Sequence, residues 1–418
     1  MGKQKFKELM KIEIERLDSG SLSKRKERVI EGFTEEECPR ALINGKTYLL
    51  FNSNDYLGLR FNKEIKKAEH EASGKYGNGP GAVRFISGTM EIHKKLEQAI
   101  ANFHGREDAI IFSSAFAANF SILQALIKGQ SVDSLISNNT LVVSDELNHR
   151  SIIEGIKVAN LNKEQKVIFN HLDHEHLKRI LEENAGRFAR VVVVTDGIFS
   201  MLGEAQNLRE IKRVIEDYDS RYDEGIFLVV DDAHGIGCFG ESGRGCEEVF
   251  GVKCDVLVGT LGKSLGTDGG YATGDKIIID YLRETASGYI YSNPIPPGCA
   301  AAALASIKLL DSEHGKELLS KLKKNIAVFK HKMKSKGFIF AADSSHAIQP
   351  LVIGDAEKAR KLAARLFDEC IVVTNINFPV VPKGRDEIRV QISALHSEKE
   401  IDFFVERCTE CSKDLGII

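Results

Sequence analysis

Four residues near the middle of the chain carry side chains that do chemistry in combination: Asp231 and His234 in "FLVVDDAHGIGCFGESGRG", and Thr260 and Lys263 in "VLVGTLGKSLGTDGGY". They supply a carboxylate, an imidazole, a hydroxyl and an amine. A pyridoxal phosphate site needs that set: a lysine to form a Schiff base, an acid to pair with the pyridine nitrogen, and donors for the phenolic oxygen and the phosphate. The competing reading of Gly262-Lys263-Ser264 is a phosphate-cradling P-loop. That pattern requires a glycine where this chain has Leu257, and the nearest glycine is Gly259, so it fails.

Each residue taken alone also has a structural reading. Asp231 and Asp232 could cap the turn that follows them, and His234 could be a satisfied loop histidine. Asp231, Asp232 and His234 could bind a metal, but no further ligand set accompanies them. The denser run of His171, His174 and His176 surrounds Asp173, a helix N-cap before "LKRILEEN", and reads as a solvated helix start. Cys408 and Cys411 form a C-x-x-C without a second pair in a helical context, and they are assigned no chemistry.

The elements that must position the four residues are visible as apolar runs: "DAIIFSS", "TLVVSD", "QKVIFN", "RVVVVTDG", "GIFLVVDD", "CDVLVGT" and the shorter "GGYATG". Strands that are apolar throughout, rather than alternating, are buried on both faces, which predicts a largely parallel sheet covered by helices in a three-layer α/β domain. Several runs end in a polar residue (Ser113, Asp145, Asp196, Asp231, Thr260). Ligands of such sheets bind beyond the carboxyl ends of the strands, so these ends should converge on one site. After the turn-rich "YSNPIPPG", a helical segment from about 299 to 337 precedes a mixture of strands and helices that reads as a smaller α+β domain. The divisions expected are an N-terminal helix and linker (1–55), a large α/β domain (56–298) and the small C-terminal domain (299–418). The Gly-rich "YGNGPGAVRFISGT" lacks the spacing of a dinucleotide fingerprint.

Composition removes several function classes. A net charge of −3, with lysines and arginines dispersed along the 418 residues, offers no basic field for nucleic acid. The N-terminal "MGKQKFKELMKIEIERLDSG" has helical periodicity without the apolar core of a signal peptide, and no apolar run approaches the length of a transmembrane segment. Eight scattered cysteines fit reduced thiols and, with the preceding points, a cytoplasmic location.

The segments "SNDYLGL", "SSAFAAN", "DELNHRSII", "TDGIFSMLG", "VDDAHGIGCFGESGRG" and "GTLGKSLGTDGGY" resemble, in order, the motifs of the α-oxoamine synthase family of fold-type I pyridoxal phosphate enzymes. The resemblance runs from about residue 50 to the C-terminus and implies an aspartate aminotransferase-like fold. It makes Lys263 the Schiff-base lysine and the base for the substrate α-proton, and Asp231 the partner of the pyridine nitrogen. His234 would donate to the phenolic oxygen, His149 would stack on the ring, and Ser200 would lie beside it. The phosphate would meet Thr260 and the amides of Ala115 and Phe116, with Ser292 reaching the neighbouring subunit's phosphate in a homodimer with shared active sites. Asn54 and Arg389 would hold the carboxylate of the amino-acid substrate, whose partner is an acyl-CoA. Within the family, the C-terminal "NFPVVPKGRDEIRVQISALHSEKEID" resembles 2-amino-3-ketobutyrate coenzyme A ligase (glycine C-acetyltransferase), which implies glycine and acetyl-CoA with the carboxylate retained. Leu202 in "SMLGEA" looks more like serine palmitoyltransferase, and "SNDYLGL" more like 8-amino-7-oxononanoate synthase, which leaves a decarboxylating synthase as the alternative. A pyridoxal phosphate-binding protein without catalysis is the weaker alternative from another class.

Overall fold

The computed structural model describes every residue except 1, 20–22, 26, 130–132 and 379–380. The chain divides into two compact units, Met1–Leu50 and Phe51–Ile418. The first contains the helix Gly2–Ser19, which buries none of its side chains, as its charged periodicity predicts. It also contains an antiparallel meander of β1 (Gly32–Phe33), β2 (Ala41–Ile43) and β3 (Lys46–Leu50). The sequence reading took this stretch for linker. Its strands are two to five residues long and turn through Asn44 (φ 49°) and Gly45 (φ 72°), a signal too short to stand out by period.

The second unit is built on seven strands: β4 (Asp108–Phe112), β5 (Thr140–Asp145), β6 (Lys166–Phe169), β7 (Arg190–Asp196), β8 (Ile226–Asp231), β9 (Val256–Thr260) and β10 (Gly270–Gly274). Each coincides with one of the apolar runs. Their order across the sheet is β4-β10-β9-β8-β7-β5-β6. β6, β5, β7, β8 and β9 are mutually parallel, whereas β10 runs antiparallel to both β9 and β4. Burial on both faces explains the composition: all seven residues of β7 are buried, and Val191 to Val194 have no exposed surface. On one face Val192, Val194, Val229 and Val258 meet Ile122, Leu123 and Ala125 of the helix Ala115–Lys128.

Further along the chain, strands β11 (Ile348–Val352), β12 (Ile371–Val372), β13 (Thr374–Ile376) and β14 (Glu387–Gln391) alternate with helices, as the mixed C-terminal pattern predicts, and β11-β14-β13 form an antiparallel sheet. The long helical segment is two helices, Pro297–Leu310 and Glu313–Ser335, with Ser312 capping the second. None of the eight cysteines is in a disulfide, and Cys238, Cys246, Cys254, Cys408 and Cys411 are buried. Among the described residues, no helix is long and apolar enough to cross a membrane.

Candidate active site

The parallel strands deliver their carboxyl ends to one place. Asp196 and Asp231 stand side by side at the ends of β7 and β8, in register. The chain leaving β5 brings His149, that leaving β7 brings Ser200, and that leaving β9 brings Lys263. Together with Ser114, Ala115, Phe116, Ser151, Ile198, Ala233, His234 and Thr260 they line a cavity of about 210 Å³. Eight of the eleven residues singled out from the sequence therefore share one cavity.

One end of the cavity is anionic. Asp231 is 5% exposed, and its Oδ2 accepts from Asn119 Nδ2 at 2.5 Å while its Oδ1 accepts from the Ala233 amide at 3.0 Å. Asn119 also donates to Ser151 Oγ (2.9 Å), which lies 2.7 Å from His149 Nδ1. His149 Nδ1 in turn accepts from the Ser151 amide (3.3 Å), so the imidazole caps the helix Arg150–Val158. One buried amide thus fixes both the carboxylate and, through a serine, the imidazole. Burial and the negative charge of Asp231 raise the Asp196 carboxyl well above the usual carboxylate range.

Opposite stands the N-terminus of the helix Ala115–Lys128. Ser114 caps it through the Ala117 amide (3.1 Å), leaving the Ala115 and Phe116 amides without intrahelical partners beside the cavity. The helix start lies so close to β10 that a Cβ at Gly270 would overlap the Ala115 nitrogen, so only glycine permits this approach. Such a terminus favours an anion. Thr260 Oγ1 accepts from the Gly262 amide and donates to Gly269 O, both at 3.2 Å, and so shapes the turn that carries the lysine.

Lys263 lies between these ends. Burial of its amine lowers its pKa to about 8, although Asp231 and Asp196 pull the other way. His149 is lowered by desolvation of the ring face inside the cavity, and the Lys263 charge adds to this against the opposing influence of Asp231. His234 lies well below the usual histidine range because it is buried among Lys263, Arg389 and His346. A lysine poised near neutrality between a fixed carboxylate and an anion-binding helix end, with two neutral imidazoles, is the donor set that pyridoxal phosphate requires. The residues fit that group.

Three predicted residues lie outside the cavity lining. Arg389 on β14 is 8% exposed and donates from Nε to Ser200 O at 2.7 Å; among the described residues no carboxylate lies within ion-pair distance of it. Asn54 accepts from Gln391 Nε2 and, at 3.2 Å, meets the Tyr56 hydroxyl. Ser292 is half-buried in the segment before the helix Pro297–Leu310. The sequence reading gave no role to Asn119 or Ser151, and it placed Asp196 at the site only as a strand end. Asp196 carried a signal as a polar strand end, whereas Asn119 and Ser151 lie inside helices and show none.

His171 corrects an expectation. Asp173 does cap the helix His174–Glu183, accepting from the His176 amide at 2.8 Å. The histidine before it is not solvated: His171 bridges Asp145 (Nδ1 to Oδ1, 3.0 Å) and Glu204 (Nε2 to Oε2, 3.1 Å), its ring edge-on to Phe199. Burial alone would lower its pKa, but the two carboxylates outweigh burial and raise it to about 9.

The geometry agrees with the comparisons to known proteins. The family model described as aminotransferase class I and II matches residues 46–408. The chain is 38% identical over 407 residues to 8-amino-7-oxononanoate synthase of Geotalea daltonii, covering 97% of this chain and 98% of that one. It is 36% identical over 382 residues to the same enzyme of Thermoanaerobacter pseudethanolicus, covering 91% of each. Among solved structures it matches serine palmitoyltransferase from S. paucimobilis at 28% identity with a TM-score of 0.86, covering 99% of both chains. The protein belongs to the aminotransferase class I and II family, with the fold-type I architecture of pyridoxal phosphate enzymes. Within that class it falls in the α-oxoamine synthase family.

Proposed function

We propose that this protein is a decarboxylating α-oxoamine synthase that joins an amino acid to the acyl carbon of a thioester, with pyridoxal 5'-phosphate as cofactor. The convergence of Lys263, Asp231, His149, His234 and a helix N-terminus on one cavity carries the reading. When bound, the cofactor supplies an electron sink for the carbanion at the substrate α-carbon. Lys263 would hold the cofactor through its amine and, once the substrate's amino group has displaced that amine, its pKa lowered to about 8 would suit it to take the α-proton. Asp231 keeps the pyridine nitrogen protonated, which its fixed position against Asn119 suits. The Ala115 and Phe116 amides take the phosphate. Arg389, a buried cation in no close ion pair among the described residues, binds the substrate carboxylate through its planar fork.

Similarity along nearly the whole chain is to 8-amino-7-oxononanoate synthases, and it outweighs the C-terminal motif that pointed to retention of the carboxylate. The constitution of that product, a methyl-bearing aminated carbon beside the ketone and an acid at the far end, requires alanine, an acyl thioester ending in a second carboxylate, and loss of the alanine carboxyl group. We therefore assign alanine and a carboxyacyl thioester as first substrates, ahead of glycine and acetyl-CoA. Carboxyl-labelled alanine, serine and glycine are each paired with short, long and carboxy-terminated acyl-CoAs. Alanine with the carboxyacyl thioester should release labelled carbon dioxide and CoA in equal amounts. Turnover with glycine and acetyl-CoA that leaves the label in a trapped β-keto acid would restore the ligase reading.

The site is completed by a second copy of the chain. Ser292 lies outside its own chain's cavity lining, and its neighbour Tyr291, 72% exposed, lines a groove of about 820 Å³ with Phe85, itself 69% exposed. An exposed aromatic groove beside the residue expected to reach a partner's phosphate suits a homodimer. Mixing Lys263→Ala with Ser292→Ala subunits should regenerate activity, because the hybrid dimer has one site carrying both lesions and one carrying neither. Absence of recovery in verified hybrids would confine Ser292 to its own chain.

A further inference from the structure

We infer that His346 is a positioning residue for His234: from the segment entering β11 it donates to the His234 carbonyl and fixes the backbone from which that imidazole reaches the cavity. The hydrogen bond is determined at both ends. The Ile348 amide lies 3.1 Å from His346 Nδ1, and because a backbone N–H only donates, Nδ1 carries no proton and the ring N–H is on Nε2. Nε2 lies 2.8 Å from His234 O, which only accepts. His346 is 1% exposed, and burial lowers its pKa to about 3, so the ring is neutral at neutral pH.

No other strong donor serves this carbonyl. Among the described residues no backbone amide donates to it. Cys238 Sγ lies 3.0 Å from it and 3.2 Å from His346 Nε2, but a thiol is the weaker donor. The imidazole is itself held on several sides. Tyr56 packs edge-on against it with ring centroids 5.0 Å apart, and Gln349 Nε2 donates to the carbonyls of His346 (2.6 Å) and Ser344 (3.1 Å).

His346 is one of three donors by which the C-terminal sheet grips the loops of the site. Ser344 Oγ, which accepts from the His346 amide at 2.9 Å, donates to Gly203 O at 2.6 Å, and Arg389 Nε donates to Ser200 O at 2.7 Å. Arg389 stands opposite Pro350 where β14 pairs with β11, so all three donors belong to one small sheet and its approach. The loop after β7 closes so tightly on this segment that a Cβ at Gly203 (φ 70°) would overlap Ile348 O. Every contact is to a backbone carbonyl, which sets the loops without engaging the side chains of Ser200 and His234 that line the cavity. That His234 serves a bound cofactor rests on the function proposed above; the grip on its carbonyl does not.

The first test needs no cofactor. In apoprotein carrying ¹³C-carbonyl histidine and ¹⁵N-glycine, only the three histidine–glycine peptide bonds give a signal, at Gly105, Gly235 and Gly315, and His234→Gln removes the one at Gly235. His346→Leu, which removes the donor and keeps the bulk, should move the Gly235 signal and leave the other two in place. His346→Gln, whose amide carries an N–H as far from the backbone as Nε2, should return it most of the way. A Gly235 signal unmoved in folded His346→Leu, or moved equally by both substitutions, would overturn the inference. So would a protonated His346 Nδ1 in the wild type, read by long-range ¹H–¹⁵N correlation of labelled histidine, a measurement that stands even where the leucine variant does not fold. In the reconstituted holoprotein the apparent pKa of the visible chromophore should rise by about half to one pH unit in His346→Leu, the equivalent of one ordinary hydrogen bond, and return in His346→Gln. A moved Gly235 signal beside an unmoved chromophore would make His346 a brace of the fold and overturn its role toward the site. Failure of the wild type to form a visible chromophore would count against the cofactor assignment instead.

Discussion

Two histidine sites at neighbouring strand ends have been driven in opposite directions. In the cavity, His149 and His234 sit by a buried lysine and lie below the usual histidine range. Beyond β5, His171 sits between Asp145 and Glu204 and is raised to about 9. Burial acts downward on all three rings, so it cannot be the discriminator. The neighbours decide how far burial prevails: one carboxylate offset by Lys263 at His149, and cations alone at His234, leave neutral rings that can donate from one nitrogen and accept at the other, whereas two carboxylates overcome burial at His171 and hold a cation that cross-links Asp145 to the loop carrying Ser200. The neutral pair lines the cavity proposed for the chemistry, and the charged ring braces the scaffold.

Removing the cation that separates the two sites should have the largest effect. Lys263→Ala should abolish covalent attachment of the cofactor and reduce turnover to background, and it should raise the His149 pKa in the apoprotein by removing a repelling charge. Borohydride reduction and peptide mapping of the wild type should place the label on Lys263. An undiminished reducible chromophore in the variant would break the comparison at its root.

Asp231→Asn tests the anionic end of the same cavity. The cofactor should still attach, with turnover falling roughly tenfold to a hundredfold, as for loss of one charge-assisted hydrogen bond that strengthens in the transition state. The His149 pKa should fall further, because the carboxylate that now raises it is gone. Rapid-scan absorbance and the histidine titration read the two effects separately, and near-normal turnover would remove Asp231 from the mechanism.

The smallest effect is expected at the scaffold histidine. His171→Gln should leave the chromophore intact and destabilise the fold by roughly 1–3 kcal/mol near neutral pH, the cost of losing hydrogen bonds to charged groups. The sign follows from the raised pKa: the stabilisation is complete below about pH 6.5, the unfolded value, and is lost as pH rises through about 9. Denaturant midpoints of the wild type should thus fall between pH 7 and 10 more steeply than those of the variant.

The parts of this arrangement legible in the sequence are those that burial writes as pattern. β5, β7, β8 and β9 were readable because two buried faces demand unbroken apolar runs, and their polar ends led to Asp231 and Lys263. Asn119 and Ser151 were not readable, since a polar residue on a helix carries no mark of what it faces across a fold. The two aspartates of "VDDAH" show the same limit. Asp231 faces the cavity, while Asp232 is fully buried where a Cβ on Gly197, Gly235 or Gly245 would collide with its carboxyl, and burial raises it to about 7. Adjacent identical residues acquire different work from the side of the strand end on which they fall.

The buried thiols have a use beyond packing. Burial pushes Cys238 and Cys408 up to about 12, so neither forms an appreciable thiolate in the folded protein at neutral pH. Cys38, Cys299 and Cys370 are only partly covered. A thiol-reactive dye should therefore label the latter group promptly and the former at the rate at which the chain opens. Cys238 touches the His234 carbonyl and Cys408 lies in the C-terminal helix Glu398–Asp414, so their separate labelling rates form a clock with two hands. One times openings beneath the active site and the other those of the chain's last helix, without any label having to be engineered in.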